Sequence, residues 1–401
     1  MRIVFVGPFA MQPKRTMAVR ALPLAKALTA RGHEVLLLLP PWDHPQDAGK
    51  EWIEHSVRIC NVNLPVGLPL LKHLLLTRRL LREALSCKPD VIHCFKPKSY
   101  AGLTAWTLWQ LKRLGAIHLR LVVDADDWEG SGGWNELERY SWLLKRFFAW
   151  QERWGLTHCD ALTVASRALE SIIWSLGVRP AIVHYLPNGW WPQASTPATD
   201  EVISLREHHA LGSAPVALLY TRFFEYQLER ALDIVQGVLA QVPKARWLIV
   251  GKGLFAEEER LLAMAQERGV AQRITYAGWV PAERLPAYFA LARVAIYPFD
   301  DTLVNRCKCA VKLLDLLAAG VPVVADRVGQ NSEYIQDGIS GLLVTPGDTT
   351  AFVAAVVRLL RDASLAEHLG RGARKRIQDH FSWKTLAISA EGAYLGSQCA
   401  R

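Results

Sequence analysis

The sequence predicts an α/β protein of two Rossmann-like, doubly wound domains whose sheets face a central cleft. Three observations carry this. The chain has 401 residues, more than one ordinary core of ~100–200 residues holds. Short apolar runs alternate with amphipathic stretches along its length, the pattern of a parallel sheet covered by helices. After Pro187–Gly189 that alternation pauses and then begins again.

The elements follow in order. Ile3–Val6 reads as a buried strand, too short and too directly continued to be a signal peptide. Met17–Arg31 reads as an amphipathic helix with Leu22, Leu24, Ala25 and Leu28 on one face, ended by Gly32. Val35–Leu39, Val91–Cys94, Leu119–Asp124 and Asp160–Val164 are further strands, the last leading to a helix capped near Ser166. Trp190–Thr199, with two prolines, reads as a linker. The second series runs through Val216–Tyr220, Trp247–Val250, Ile274–Ala277, Val294–Tyr297, Pro322–Ala325 and Gly341–Val344. Phe381–Lys384 opens a final helix with Ser382 as its N-cap. The expected domains are residues 1–190 and 200–380, with a terminal helix at 381–401. Ligands of such sheets bind beyond the carboxyl ends of the strands, and two facing edges make one deep cleft.

Composition narrows the function classes. Apolar residues make up 51% and charged residues 21%, which excludes a disordered chain. No run reaches ~18 consecutive apolar residues, so no membrane-spanning helix is expected. Seven scattered cysteines without paired spacing read as reduced thiols of a cytoplasmic protein, not as a disulfide frame or zinc site. A net charge of +9 favours anionic partners, whether phosphates, a lipid headgroup surface or nucleic acid, and of these nucleic acid is not the expected partner. Most of the fifteen tryptophans are expected in cores and interfaces. Leu64–Leu85, with Lys72, Arg78, Arg79 and Arg82 among leucines, fits either a helix packed on the sheet or one lying on an anionic membrane.

The stretch Lys308–Val344 carries the most chemistry. A polar loop at Asn305–Cys309 enters a helix running to Ala319, and Gly320 stops it before a buried strand. A helix start offers free N–H groups and a positive dipole end to an anion. Asp315 lies on that helix, where a carboxylate can accept two hydrogen bonds from a ribose diol. On the first domain, Asp124, Asp126, Asp127 and Glu129 crowd one strand end, beside Trp128. Hydroxyl binding ranks first there, ahead of a general base or a cation site. Carboxylates this close raise one another's pKa. His93 sits at another strand end with Lys96 and Lys98 behind it, as an acceptor contact or a satisfied buried imidazole.

These residues resemble the donor signature of the retaining, family-four GT-B glycosyltransferases, which carry two glutamates separated by seven residues before Ala-Ala-Gly-x-Pro-Val-Val. Here Asp315 holds the second acidic position and Cys307 the first, before Ala318–Ala325. The resemblance implies ribose binding by Asp315 and donor-sugar contact at position 307. Lys308, Lys312 and Leu313 complete that donor loop. Gly251, Lys252 and Gly253 match the glycine turn beneath the nucleotide. Trp279 and Val280 match the loop that holds the base. Arg222 matches the family's diphosphate arginine; Gln227 stands where its lysine is usual, with Arg230 as the nearest substitute cation.

Further implications concern chemistry. A glycine-rich first loop is replaced by Pro8–Met17, whose Lys14 and Arg15 suit an anionic acceptor or the donor phosphates. The implied reaction moves a sugar from a UDP- or GDP-sugar to a glycan or lipid hydroxyl, with retention, without a metal or other cofactor. Arg222, Arg230, Asp126 and Asp127 are its expected catalytic groups. The GT-B resemblance also implies that the final helix crosses back to the first domain. Two other readings stay open: a degenerate nucleotide-sugar-binding or regulatory protein, and a nucleotide-sugar epimerase.

Overall fold

The computed structural model describes residues 1–192 and 197–396; part of the expected linker, residues 193–196, lies outside them. Two compact units result. The first comprises Met1–Gly189, the short segment Cys307–Cys309 and the chain from Phe381 onward; the second comprises Trp190–Arg306 and Ala310–His380.

In the first unit the order is β1 (Arg2–Val6), α1 (Leu22–Thr29), β2 (Glu34–Leu39), β3 (Glu51–Glu54), β4 (Val57–Asn61), α2 (Pro69–Ser86), β5 (Val91–Phe95), α3 (Ser99–Arg113), β6 (Arg120–Ala125), α4 (Trp142–Thr157), β7 (Ala161–Val164), α5 (Arg167–Ser175) and β8 (Val183–Tyr185). The sheet runs β3-β4-β2-β1-β5-β6-β7-β8. All pairs are parallel except β3 with β4. Both faces of the parallel strands are covered, so β5 is buried at all five positions and shows no polar alternation. Ser166 caps α5 by accepting from Leu169 N–H at 3.3 Å, a contact type worth about 1 kcal/mol.

The second unit contains α6 (Thr199–His208), β9 (Val216–Thr221), α7 (Leu228–Gln241), β10 (Arg246–Gly251), α8 (Glu257–Glu267), β11 (Ile274–Gly278), α9 (Leu285–Ala290), β12 (Val294–Tyr297), α10 (Leu303–Cys307), α11 (Val311–Ala319), β13 (Val323–Asp326), α12 (Asn331–Tyr334), β14 (Leu342–Val344), α13 (Thr349–Arg361) and α14 (Ala363–His380). Its six parallel strands run β11-β10-β9-β12-β13-β14. The last helix, α15 (Trp383–Leu395), belongs to the first unit and packs on α1, β7 and β8.

Several expectations need correction. The antiparallel β3–β4 pair and β8 were not anticipated, because their sequences are short and mixed. The helix expected from Met17 opens with a π-helical turn, Met17–Ala21. The expected polar loop at Asn305–Cys309 is half helical, since α10 ends at Cys307. Six of the fifteen tryptophans, Trp42, Trp106, Trp142, Trp150, Trp174 and Trp279, are exposed, while Trp247 and Trp383 are fully buried. In each unit the strand order reverses once, between β1 and β5 and between β9 and β12. The carboxyl ends at those reversals are where such sheets bind ligands.

Candidate functional site

In the second unit, β9 ends at Thr221 and the chain turns sharply through Arg222–Gln227 into α7. Phe223 takes a left-handed φ of 71° to make that turn, a strained choice for a bulky residue. Arg222 is half-buried, its guanidinium 5.2 Å from the Phe224 ring. Across the reversal, Tyr220, Thr221, Glu225, Tyr226, Tyr297 and Phe299 line a small hollow at the carboxyl ends of β9 and β12. A larger cavity of about 380 Å³ lies at the opposite end of this sheet, among Arg293, Gly320 and Arg374, away from the strand ends that bind ligands.

The start of α11 touches two residues of that hollow, Tyr220 and Tyr297. Lys312 Nζ sits 3.5 Å from the centre of the Tyr220 ring, a close cation–π contact. The buried Tyr297 hydroxyl meets the Leu313 N–H. Burial, aided by the nearby Glu225, Tyr220 and Asp315, pushes its pKa well up. Lys312, Leu313 and Asp315 therefore gather beside Tyr220 and Tyr297, two residues that sequence reasoning did not select. Asp315 is half-buried.

On the other side of β9, Gly251 ends β10 at φ 136°, and a Cβ there would lie 1.9 Å from Thr221 O. Only glycine permits that approach. Tyr276 Oη donates to Gly251 O at 3.0 Å. Lys252 is exposed, and Gly253 N–H donates to Glu258 at 2.9 Å. Trp279 is exposed and Val280 buried.

Two expected donor residues are placed differently. Arg230 forms a two-pronged pair with the buried Asp326, 2.8 Å at both contacts, and Asp326 also accepts from Phe299 N–H. Its charge is already matched by a carboxylate, so it is not a spare diphosphate cation. Cys307 is fully buried and its carbonyl accepts from Ser166 Oγ at 3.0 Å, within the first unit. Asn188 N–H meets Cys309 Sγ at 3.2 Å in the same unit. The Cys307 thiol thus faces protein interior, and burial rather than sugar contact accounts for an apolar side chain there. Lys308, between them, is half-buried.

The first unit holds two polar clusters. In the inner one, Arg20 is wholly buried and grips Asp124 through Nε–Oδ2 at 2.8 Å and Nη2–Oδ1 at 2.6 Å. It also donates to Asn188 Oδ1 at 3.1 Å and Leu186 O at 2.8 Å. Thr163 Oγ1 donates to Asp124 at 2.6 Å, and His93 lies between Thr163 (3.0 Å) and Tyr394 Oη (2.9 Å). One proton pattern satisfies this chain: Tyr394 donates to His93 Nδ1, and His93 Nε2–H donates to Thr163. Burial, reinforced by Arg20, brings His93 down to about 4, so it is neutral. Burial alone would raise Asp124; the guanidinium outweighs it and holds the carboxyl below its ordinary value. Asp124 and His93, expected at the acceptor, are instead core residues fastening strands β5 to β7 to α15. Arg20 was missed, although its place on the apolar stripe between Met17 and Leu24 marks it as buried.

The outer cluster lies at the carboxyl ends of β5 and β6. Lys96 Nζ bridges Asp126 (3.0 Å), Asp127 (3.0 Å) and Glu129 (3.1 Å). Lys98 binds Glu129 at 2.7 Å and Asn135 at 2.6 Å, and faces Tyr140 and Phe148. The carboxylates do not shift together as expected. Burial, with Asp127 and Asp124 nearby, pushes Asp126 up to about 7 against the pull of Lys96. Glu129 would also rise on burial, but Lys96 and Lys98 hold it at about 2. Burial keeps Glu152, which accepts from Glu129 N–H at 2.8 Å, well above the carboxylate range. Lys96 is buried and engaged, so it anchors acids rather than facing an acceptor. Asp127 keeps part of its side chain in solvent. Trp128 lies across the turn that follows, its Nε1 donating to Ser131 O at 3.0 Å. Lys14 stands beside Phe9 and Trp42, and Arg15 is exposed. Among the described residues no group of three or more His, Cys, Asp or Glu could hold a metal ion.

Comparison with known proteins gives the family and the fold. Residues 15–189 match the glycosyl transferase 4-like domain and residues 214–362 match glycosyl transferases group 1. A GDP-mannose-dependent alpha-(1-6)-phosphatidylinositol monomannoside mannosyltransferase of Mycolicibacterium smegmatis is 31% identical over 248 residues, covering 60% of this chain and 64% of that protein. The chain thus spans less than two thirds of that relative's length. Alpha-D-kanosaminyltransferase of Streptomyces kanamyceticus is 24% identical over 403 residues, 94% of this chain and 98% of its own. Among solved structures, sucrose-phosphate synthase of Thermosynechococcus elongatus superposes with a TM-score of 0.73 at 20% identity, over 98% of each chain. Anabaena HepE in complex with UDP gives 0.71 at 16% identity, also over 98% of each. The chain belongs to the group 1 glycosyltransferases and has the GT-B fold of two Rossmann-like units.

Proposed function

We propose that this protein transfers a sugar from a UDP- or GDP-sugar to a hydroxyl of a glycan or lipid, with retention at the anomeric carbon and without a metal ion. The observation that carries it is the gathering of Lys312, Leu313 and Asp315 against Tyr220 and Tyr297, at the strand ends next to Arg222. Asp315 takes the ribose diol, and Gly251, Lys252, Trp279 and Val280 bind the rest of the nucleotide. Arg222, with Lys308 and Lys312, stabilises the diphosphate. The sugar–phosphate bond breaks as the acceptor oxygen bonds to the same face of the anomeric carbon. The acceptor proton passes to the leaving phosphate, and fixed cations offset the charge developing there. Asp127, which keeps part of its side chain in solvent, holds the acceptor hydroxyl, with Asp126 buried behind it against Lys96, and Lys14 and Arg15 draw an anionic acceptor.

The mannosyltransferase named above uses GDP-mannose and a phosphatidylinositol glycolipid, and the HepE structure contains UDP. These support a nucleoside diphosphate donor and a lipid or glycan acceptor. We further propose a cytoplasmic protein in peripheral contact with an anionic membrane. No helix among the described residues is long and apolar enough to cross one. A second reading, a nucleotide-sugar-binding protein without turnover, draws on the burial of Cys307.

Thermal-shift measurements with UDP-, GDP- and ADP-sugars test the donor, because a ligand of the folded state raises its melting point. A shift with UDP- or GDP-sugar followed by diphosphate release with an acceptor mixture is expected. A shift without any release supports the second reading; no shift with any nucleotide sugar refutes both.

A further inference from the structure

The helix α4 carries a second feature. One side faces the unit's interior through Phe148, Gln151, Glu152, Gly155 and Leu156. The other exposes Trp142 at 65%, Leu143 at 71%, Phe147 at 39% and Trp150 at 48%. Positions 142, 143, 146, 147, 150 and 153 share that outer side at helical spacing. It is therefore an apolar and aromatic stripe in the wrong direction for a core. Phe147 and Trp150 stack at 5.8 Å, and Arg146 lies 5.0 Å over the Trp142 ring. Arg146 and Arg153 are the exposed charges of this side; the only acid in the helix, Glu152, points inward.

We propose that this outer side of α4 is a docking face for a bilayer bearing anionic headgroups. The inference rests on the membrane contact proposed above and deepens it by naming a surface for it on α4. Tryptophan and phenylalanine bury apolar rings at the headgroup boundary, leucine enters the acyl edge, and arginines pair with lipid phosphates. Charge complementarity selects this occupant. Two copies meeting through the face would oppose cation to cation with no acid to answer.

The test is co-sedimentation of the full chain with vesicles of phosphatidylcholine alone or mixed with phosphatidylglycerol. Binding to the mixed vesicles is expected, with a blue shift of tryptophan emission. A variant combining Trp142→Ser, Leu143→Ser, Phe147→Ser and Trp150→Ser should lose at least about tenfold in affinity. Arg146→Gln and Arg153→Gln should each lose about fivefold on mixed vesicles only, and guard against misfolding of the first variant. Failure of the wild type to bind, or equal binding by both sets of variants, overturns the proposal. So does a change from dimer to monomer, or loss of oligosaccharide binding, in place of lost vesicle binding. Nucleotide-sugar melting shifts should be the same in all variants, so this proposal and the transferase reading fail separately.

Discussion

Replacing Arg20 by alanine removes a guanidinium that makes two contacts to Asp124 and one each to Asn188 and Leu186, all away from water. The carboxylate of Asp124 then stays buried with Thr163 and no cation. Breaking a buried pair from one side costs about 3–5 kcal/mol. For a unit of this size each kcal/mol moves the melting point by about 2–4 °C, so the first unit should melt about 6–20 °C lower. The pH dependence identifies the cause. In the wild type the folded-state pKa of Asp124 is depressed. Its stabilisation is present above the unfolded value of ~3.9 and is lost as pH falls through the folded value. In Arg20→Ala, burial acts without the guanidinium and raises that pKa, so the variant is most stable below ~3.9 and weakens as pH rises. The gap between the two proteins should therefore narrow on acidification from pH 7. Melting followed by circular dichroism across pH, with hydrogen exchange in β6 and β7, measures it. The double change Arg20→Met with Asp124→Leu should cost less than either single change, since no charge is left behind. A loss below about 1 kcal/mol, or a gap indifferent to pH, would refute this account of the core.

Four other outcomes are expected. Arg222→Ala should lower kcat by about 10²–10³ while leaving nucleotide-sugar binding nearly intact; steady-state kinetics showing an unchanged rate would remove Arg222 from the diphosphate site. Asp315→Ala should weaken UDP- or GDP-sugar binding about 10–100-fold in calorimetry, the worth of hydrogen bonds to a charged acceptor. Gly251→Ala should destabilise the second unit by at least about 2 kcal/mol, because its Cβ would meet Thr221 O at 1.9 Å in a left-handed backbone. Asp126 has a folded pKa raised to about 7, so the stability it contributes is full below ~3.9 and lost as pH rises through about 7. Asp126→Asn should flatten that decline in denaturant titrations, and an unchanged pH slope would contradict the assignment.

Much of the architecture was legible in order along the chain. Apolar runs bounded by glycine mark the parallel strands, since a strand buried on both faces cannot afford polar alternation. The helix that carries the proposed donor residues was legible too, because Lys312, Leu313 and Asp315 share one helix and their spacing is local. What composition could not reveal was which charged residue lies inside. Asp124 and Asp127 stand three positions apart and look alike in sequence, yet one is locked to Arg20, 104 positions away, and the other reaches solvent.

The sequence alone therefore determined the alternation of strands and helices, the sites of the caps, and the local motif along α11, all of which depend on neighbours within a few residues. Tertiary structure decided the rest. It made His93 neutral, split Asp126 from Glu129 in pKa, drew Cys307–Cys309 into the first unit, and turned four aromatic and aliphatic residues of α4 outward. Burial and charge pairing are properties of what distant segments bring together, and a residue's own type and spacing do not contain them.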